Sequence, residues 1–309
     1  MRNDNWKMEN PAVFEANEAK MNATAKAIEL DTTLKRDSSW SLWLRQIGAI
    51  MRLEVKKNFL GKRAVLIYLL ALMPIGLLAM IAILKPADRD WIDFAQYPKL
   101  FSGIYNALIL RTVIFFGCAW IFMNLFRGEI VDRSLHYYFL SAVRREVLIA
   151  GKYFSGLVTS VILFTTVTVV SMFLTFFAHF FSASTRFFLD GPGLVQLFTY
   201  IGITVLACVG YGAFFMVVGL FFRNPIIPAL VLYGWEWINF LLPPLLKKIS
   251  VIHYLNSLVP VPISEGPFAV VAEPTPAWIL VPGLLIVTAL VLIGAGYRIH
   301  RMEISYGSD

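Results

Sequence analysis

Hydrophobic and polar positions in this chain fall in long blocks. Apolar stretches cover Ala64–Leu84, Ile104–Phe126, Phe154–Phe177, Leu194–Phe222, Ile226–Leu246 and Ala277–Tyr297, separated by shorter segments that hold most of the charges. About 20 residues at a helical rise of about 1.5 Å cross a hydrocarbon core of roughly 30 Å, so each block is long enough to span a membrane. The pattern predicts an all-α integral membrane protein with six transmembrane helices. Pro74 lies inside the first block, where neighbouring helices can satisfy the carbonyl it frees. Gly202, Gly210, Gly212 and Gly219 in the fourth block predict close approach to another helix.

Composition agrees with the pattern. The chain is 58% hydrophobic and 15% charged, with 25 Phe in 309 residues, more apolar surface than a soluble domain of this size can bury. Positive residues near span ends stay in the cytoplasm. With the N-terminus inside, the inner set is Arg45, Arg52, Lys56, Lys57, Lys62, Arg63, Arg127, Arg133, Arg144, Arg145, Lys152, Arg223, Arg298 and Arg301, against an outer set of Lys85, Arg89, Lys99, Arg186, Lys247 and Lys248. Fourteen against six predicts that both termini lie inside. The inner set also accounts for the net charge of +7, so no nucleic-acid partner is implied. Cys118 and Cys208 both fall within spans and read as small packing residues, not as a disulfide or a metal pair. Residues 1–39 are polar, carry both signs of charge and lack an apolar core. They are expected to form a cytoplasmic tail with disordered or weakly helical character, not a secretory signal.

Between residues 40 and 63 the pattern becomes amphipathic. Trp40, Trp43, Leu44, Ile47, Ile50, Met51 and Val55 share one helical face and Arg45, Arg52 and Lys56 the opposite one, as in a helix lying at the cytoplasmic interface. Glu54 falls on the apolar face, and the sequence alone gives no account of it. The polar run 127–152, RGEIVDRSLHYYFLSAVRREVLIAGK, lies between the second and third blocks. Glu129, Asp132, Arg133 and His136 group on about one third of a helical turn, with Ile130, Val131, Leu135, Tyr137 and Tyr138 on the remainder. This predicts a short amphipathic helix with a charged face turned to the cytoplasm. A second helix start is expected at Ser141, with return to the membrane at Lys152. A minimal hairpin needs only a few residues, so a run of this length argues for more than a simple connection.

With its six predicted spans, amphipathic N-terminal elbow and the run FRGEIVDRSLHYYFLSAVRREVLIAGKYFSG, the chain resembles the permease subunits of type-2 ATP-binding-cassette transporters over about residues 40–300. The features that carry the resemblance are acidic Glu129 soon after the second span, apolar Tyr137–Leu140, a turn with basic residues over Ser141–Arg145, and Gly151-Lys152 at the third span. The chain departs from the family's common Thr-Pro or Ser-Pro before the basic residue, having Ser141, Ala142 and Val143. The resemblance implies a six-span permease domain over 40–300, with an elbow (40–63), a coupling loop (127–152), an outer loop (247–276) and a cytoplasmic tail (301–309). It implies an exporter in the plasma (inner) membrane of a prokaryote. Glu129, Asp132, Arg133 and His136 would couple it to a separate ATPase subunit, and a second permease copy or a paralogue would complete the transporter. ATP and Mg would belong to that ATPase, because Gly61-Lys62 and Gly151-Lys152 lack the upstream glycine and following hydroxyl of a phosphate loop. No cofactor is expected in this chain. The Pro-rich outer segment around His253 and Tyr254 would be a cap, a gate or a surface loop.

Two charges fall inside predicted spans, Arg111 in the second and Glu236, between Trp235 and Trp237, in the fifth. Intramembrane ions are costly and often functional, so both are candidate gating or substrate residues, with a structural hydrogen bond as the other reading of Glu236. Pro243 and Pro244 are expected to kink the fifth span near its outer end. No H-E-x-x-H, paired-aspartate or G-x-S-x-G pattern supports an enzyme. The alternatives to an ATP-driven permease are a secondary transporter, which would ask for more buried polar groups and broken helices, and a membrane anchor recruiting a cytoplasmic complex.

Overall fold

The computed structural model of the chain describes residues 19–26, 39–61, 64–84, 93–131, 144–178, 181–222, 224–243, 246, 250–262 and 276–300. Every regular element among them is helical. The chain divides into two units, Met1–Gly48 and Ala49–Asp309. In the first, residues 19–26 form an exposed helix, and helix α1 (Ser39–Leu60) begins. There the rings of Trp40 and Trp43 stand 5.2 Å apart.

The second unit is a helical bundle. After the rest of α1 come α2 (Ala64–Leu84), a 3-10 turn (Phe94–Gln96), α3 (Tyr97–Ile104), a π-helical stretch (Tyr105–Ile114) and α4 (Phe115–Val131). Then follow α5 (Arg145–Phe177), α6 (Phe181–Leu189), α7 (Gly193–Phe221), α8 (Ile226–Ile238), a 3-10 turn (Asn239–Leu241), α9 (Val251–Ser257) and α10 (Ala277–His300). Among the described residues, five helical segments are long and apolar enough to cross a membrane: Ala64–Leu84, Phe94–Gly128, Arg145–Phe177, Gly193–Phe221 and Ala277–Tyr297. The chain is an all-helical, multi-pass membrane protein.

The predicted block Ile226–Leu246 differs. Its helix is 13 residues, about 20 Å, and gives way to the 3-10 turn at Asn239. The cause is Pro243, which disfavours helical backbone in the residue before it; Leu242 is accordingly extended, with φ −74° and ψ 149°. Pro243, expected to kink a span, instead helps to end a helix, and Pro244 lies outside the described residues.

Helix α7 is central, packing against α4, α5 and α10. Its contacts show which predicted glycines work as expected. A Cβ on Gly219 would meet the backbone of Met123, on Gly212 the ring of Phe122, and on Gly210 the side chain of Leu284, whereas on Gly202 it would meet nothing within 4 Å. Small residues therefore set the α4–α7 spacing at Gly212 and Gly219. Cys118 of α4 and Cys208 of α7 are both free and buried. Helices α2 and α10 lie at the periphery and expose large apolar side chains, among them Leu69, Ile83, Ile286 and Ile293. That is the surface lipid requires. At the end of the bundle where α3 begins, Phe94, Tyr97, Phe101, Phe176, Phe187 and Phe188 form a continuous aromatic cluster, with Phe176 and Phe187 stacked at 5.1 Å. The opposite end holds the close of α4 and the start of α5, and is called the hairpin end below.

Helix α5 carries many hydroxyls on a buried face, and most are satisfied within the helix. Ser155 donates to Lys152 O, Thr159 to Ser155 O, Thr168 to Phe164 O and Thr175 to Ser171 O. Because the Thr168 proton is committed to Phe164 O, Thr168 accepts from Thr204 of α7 at 3.2 Å, while the Tyr105 hydroxyl lies within bonding distance of both the Tyr200 carbonyl (3.2 Å) and Thr204 Oγ1 (3.0 Å). These hydroxyls join the π-helical stretch, α7 and α5.

Candidate functional site

Apart from hydroxyls, polar side chains are scarce inside the bundle, and two groups of them stand out. The first lies at the hairpin end. Lys152, two turns into α5, has no solvent exposure, and Glu54 of α1 is 2% exposed. The ammonium donates to Glu54 Oε1 at 3.0 Å and to the carbonyl of Leu125 in α4 at 2.8 Å. It also lies 5.2 Å from the centre of the Phe126 ring, whose face attracts a cation. Backbone packing reinforces the junction, since a Cβ on Gly151 would stand 3.0 Å from Ile50 Cγ2. One ammonium thus joins α1, α4 and α5. Glu54 faces inward with Ile50, Met51 and Val55, while Arg52, Leu53, Lys56 and Lys57 are exposed. The carboxylate that looked misplaced on an apolar face is there to meet a lysine.

The hairpin itself is longer than the polarity pattern predicts. Helix α4 continues to Val131 and α5 begins at Arg145, so Lys152 lies within a helix. At 33 residues, α5 is about 50 Å long, some 20 Å more than a hydrocarbon core of about 30 Å. Its charged residues, Arg145, Glu146 and Lys152, all sit at its start, so the surplus length belongs to the hairpin end. Of the predicted coupling residues, Glu129 lies in the last turn of α4; Asp132, Arg133 and His136 lie outside the described residues.

The second group surrounds the π-helical stretch. Arg111 Nε donates to Asn106 Oδ1 at 2.9 Å, and Asn106 Nδ2 donates to Asn256 Oδ1 of α9 at 2.6 Å. The guanidinium lies 5.6 Å from the centre of the Trp237 ring in α8. Ser102 donates to the Val261 carbonyl at 2.7 Å. These bonds hold α9 and the residues after it along the first half of the second span. Short α9 begins deep in the bundle: Val251 packs near Gly210, and Ile252 and Leu255 are fully buried.

A helix that starts inside a bundle has N–H groups with no partner of their own. Glu236, 2% exposed on α8, supplies the acceptors. Its carboxylate accepts the Ser250 hydroxyl, the Val251 N–H at 3.2 Å and the Ile252 N–H at 3.1 Å. A negative charge there also complements the helix dipole. The geometry favours the structural reading of Glu236, as the cap of α9. Arg111 is within electrostatic reach of it, so the structure brings the two candidate residues into one neighbourhood, with Asn106 as the direct hydrogen-bond partner of the arginine.

Glu236→Ala would leave three buried donors without their acceptor. Each such loss costs about 1–3 kcal/mol when unrelieved, so a clear fall in melting temperature in detergent is expected. Glu236→Gln, which keeps one acceptor oxygen, should lie between Ala and the parent. Equal melting of all three would remove Glu236 from this capping role.

Among the described residues no cluster of three or more His, Cys, Asp or Glu could hold a metal ion. Comparison with protein-family models, with characterised proteins and with solved structures finds no match. The Lys152 junction was missed in the sequence, although a signal for it existed. Glu54 and Lys152 are opposite charges without assigned partners, one on an apolar helix face and one beside an apolar block, and buried charges are nearly always paired.

Proposed function

We propose that this chain is the permease subunit of an ATP-driven transporter of the type-2 ATP-binding-cassette class, working as an exporter through six spans with both termini in the cytoplasm. The observation that carries the reading is the α4–α5 hairpin. Its helix α5 outlasts the bilayer by about 20 Å at the end where charges gather, which suits an element that a soluble partner grips. Glu129, Asp132, Arg133 and His136 would contact an ATPase subunit that holds ATP and Mg. A second permease copy or a paralogue completes the transporter, in the plasma (inner) membrane of a prokaryote. Closure of the ATPase on nucleotide would displace the hairpin and rock the spans between inward-open and outward-open states.

The test is affinity purification of the tagged full chain from its native membrane in mild detergent. An ATPase subunit should accompany it, and Glu129→Ala with Asp132→Ala should weaken that association while leaving the melting temperature unchanged. Absence of any ATPase, with no effect of the paired substitution on transport, overturns the reading. The half-buried Arg111–Asn106–Asn256 network favours a second reading, a secondary transporter, since such proteins place polar groups beside irregular helix at membrane depth. Transport that follows a proton gradient without ATP would select it.

A further inference from the structure

A buried ion pair is a poor stabiliser in itself. Well-packed apolar side chains of similar volume often do as well or better, because removing two charges from water offsets most of their attraction. What the pair supplies is direction. An ammonium held between a carboxylate and a carbonyl fixes three elements at one point, whereas apolar surfaces can slide. Lys152 makes those two bonds, to Glu54 of α1 at 3.0 Å and to Leu125 O of α4 at 2.8 Å. Both partners sit close behind the hairpin end, Leu125 six residues before the close of α4 and Lys152 seven after the start of α5. Beside the pair lies an apolar contact, Ile50 against Gly151.

We propose that the Glu54–Lys152 pair is a mechanical tie that makes the second half of α1 move as one body with the base of the α4–α5 hairpin. A displacement of residues 132–144 then reaches α1 as well as the two spans. The inference deepens the reading given under Proposed function and rests on it for the source of that displacement. The tie itself is a property of this chain alone. It predicts that charge and not volume is essential at these positions, and that removing both charges together separates stability from transmission.

The experiment places spin labels on Lys57→Cys of α1 and Glu146→Cys of α5 in the full chain in lipid nanodiscs, and reads their distance with and without Glu54→Met/Lys152→Met. The parent should give one narrow distance. The doubly apolar variant should keep its melting temperature and lose that narrow peak. In the complex with the ATPase, addition of nucleotide should shift the parent distance together with a second label pair on α4 and α5, and the variant should lose the coordinated shift at α1. An unchanged narrow distance in the double variant overturns the tie, whether or not an ATPase co-purifies. Should the double variant fail to fold, Glu54→Gln decides, because it removes the carboxylate charge while keeping volume and the bond from Lys152 to the Leu125 carbonyl: a broadened distance from the folded variant supports the tie, and an unchanged narrow distance refutes it. A narrow parent distance that the double variant loses, found in a chain that brings no ATPase with it, upholds the tie and defeats the ATP-driven reading.

Discussion

Lys152→Met alone is expected to remove most folded protein from the membrane, in contrast to the same change made together with Glu54→Met. The two side chains have similar reach, so the single substitution leaves packing nearly intact and changes chiefly the charge. Glu54 would then remain 2% exposed without its ammonium, and the Leu125 carbonyl would lose its donor. Breaking a buried pair from one side typically costs about 3–5 kcal/mol, a large share of the stability of most proteins. Arg52→Met and Lys56→Met are suitable controls because both side chains lie on the exposed face of the same helix; changes there should stay within about 0.5 kcal/mol. Size-exclusion profiles and melting temperatures of the four proteins in one detergent would read the difference. If Lys152→Met melts with the controls, the charge at this junction is immaterial.

Block hydrophobicity made the membrane class legible because spans must be apolar over their whole length, a signal that needs no tertiary information. It did not show the break inside Ile226–Leu246, where the apolar run continues but the α-helix does not: Pro243 sets Leu242 extended, and Asn239 is buried at the start of a 3-10 turn. Hydropathy counts side chains, whereas the helix is ended by backbone chemistry. The glycines of the fourth block marked close approach correctly at Gly210, Gly212 and Gly219 but not at Gly202, since sequence shows which faces are small and not which are occupied. Glu54 and Glu236 were visible as anomalies, whereas Lys152 read as an ordinary charge at a span end. The partners of the two glutamates, a lysine 98 residues away and the backbone of a helix 15 and 16 residues away, follow from the fold. The π-helical register at Tyr105–Ile114 had no counterpart in the pattern, because the residues that stabilise it, Asn256 among them, come from a distant part of the chain.

Gly219→Ala is expected to cause a loss comparable to that of Lys152→Met, for a reason of geometry and not charge. The added Cβ would lie 2.9 Å from both the Cα and the carbonyl oxygen of Met123. An obstacle made of backbone cannot rotate away, so α4 and α7 must separate along their length, at a cost of about 3 kcal/mol or more. Gly212→Ala meets the Phe122 ring instead, a side chain that can give by a small shift without parting the two backbones, and should lose less. Gly202→Ala meets nothing within 4 Å and should be neutral or gain slightly from better helix propensity. The order Gly202, Gly212, Gly219 in falling melting temperature is therefore the expected result, and equal effects at the three sites would refute this account of the α4–α7 contact. Met123 precedes Leu125 by two residues, so pushing α4 outward also draws the Leu125 carbonyl away from Lys152. Gly219→Ala carrying the Lys57/Glu146 label pair should then show a broadened distance although both charges are intact, whereas Gly212→Ala should keep it narrow.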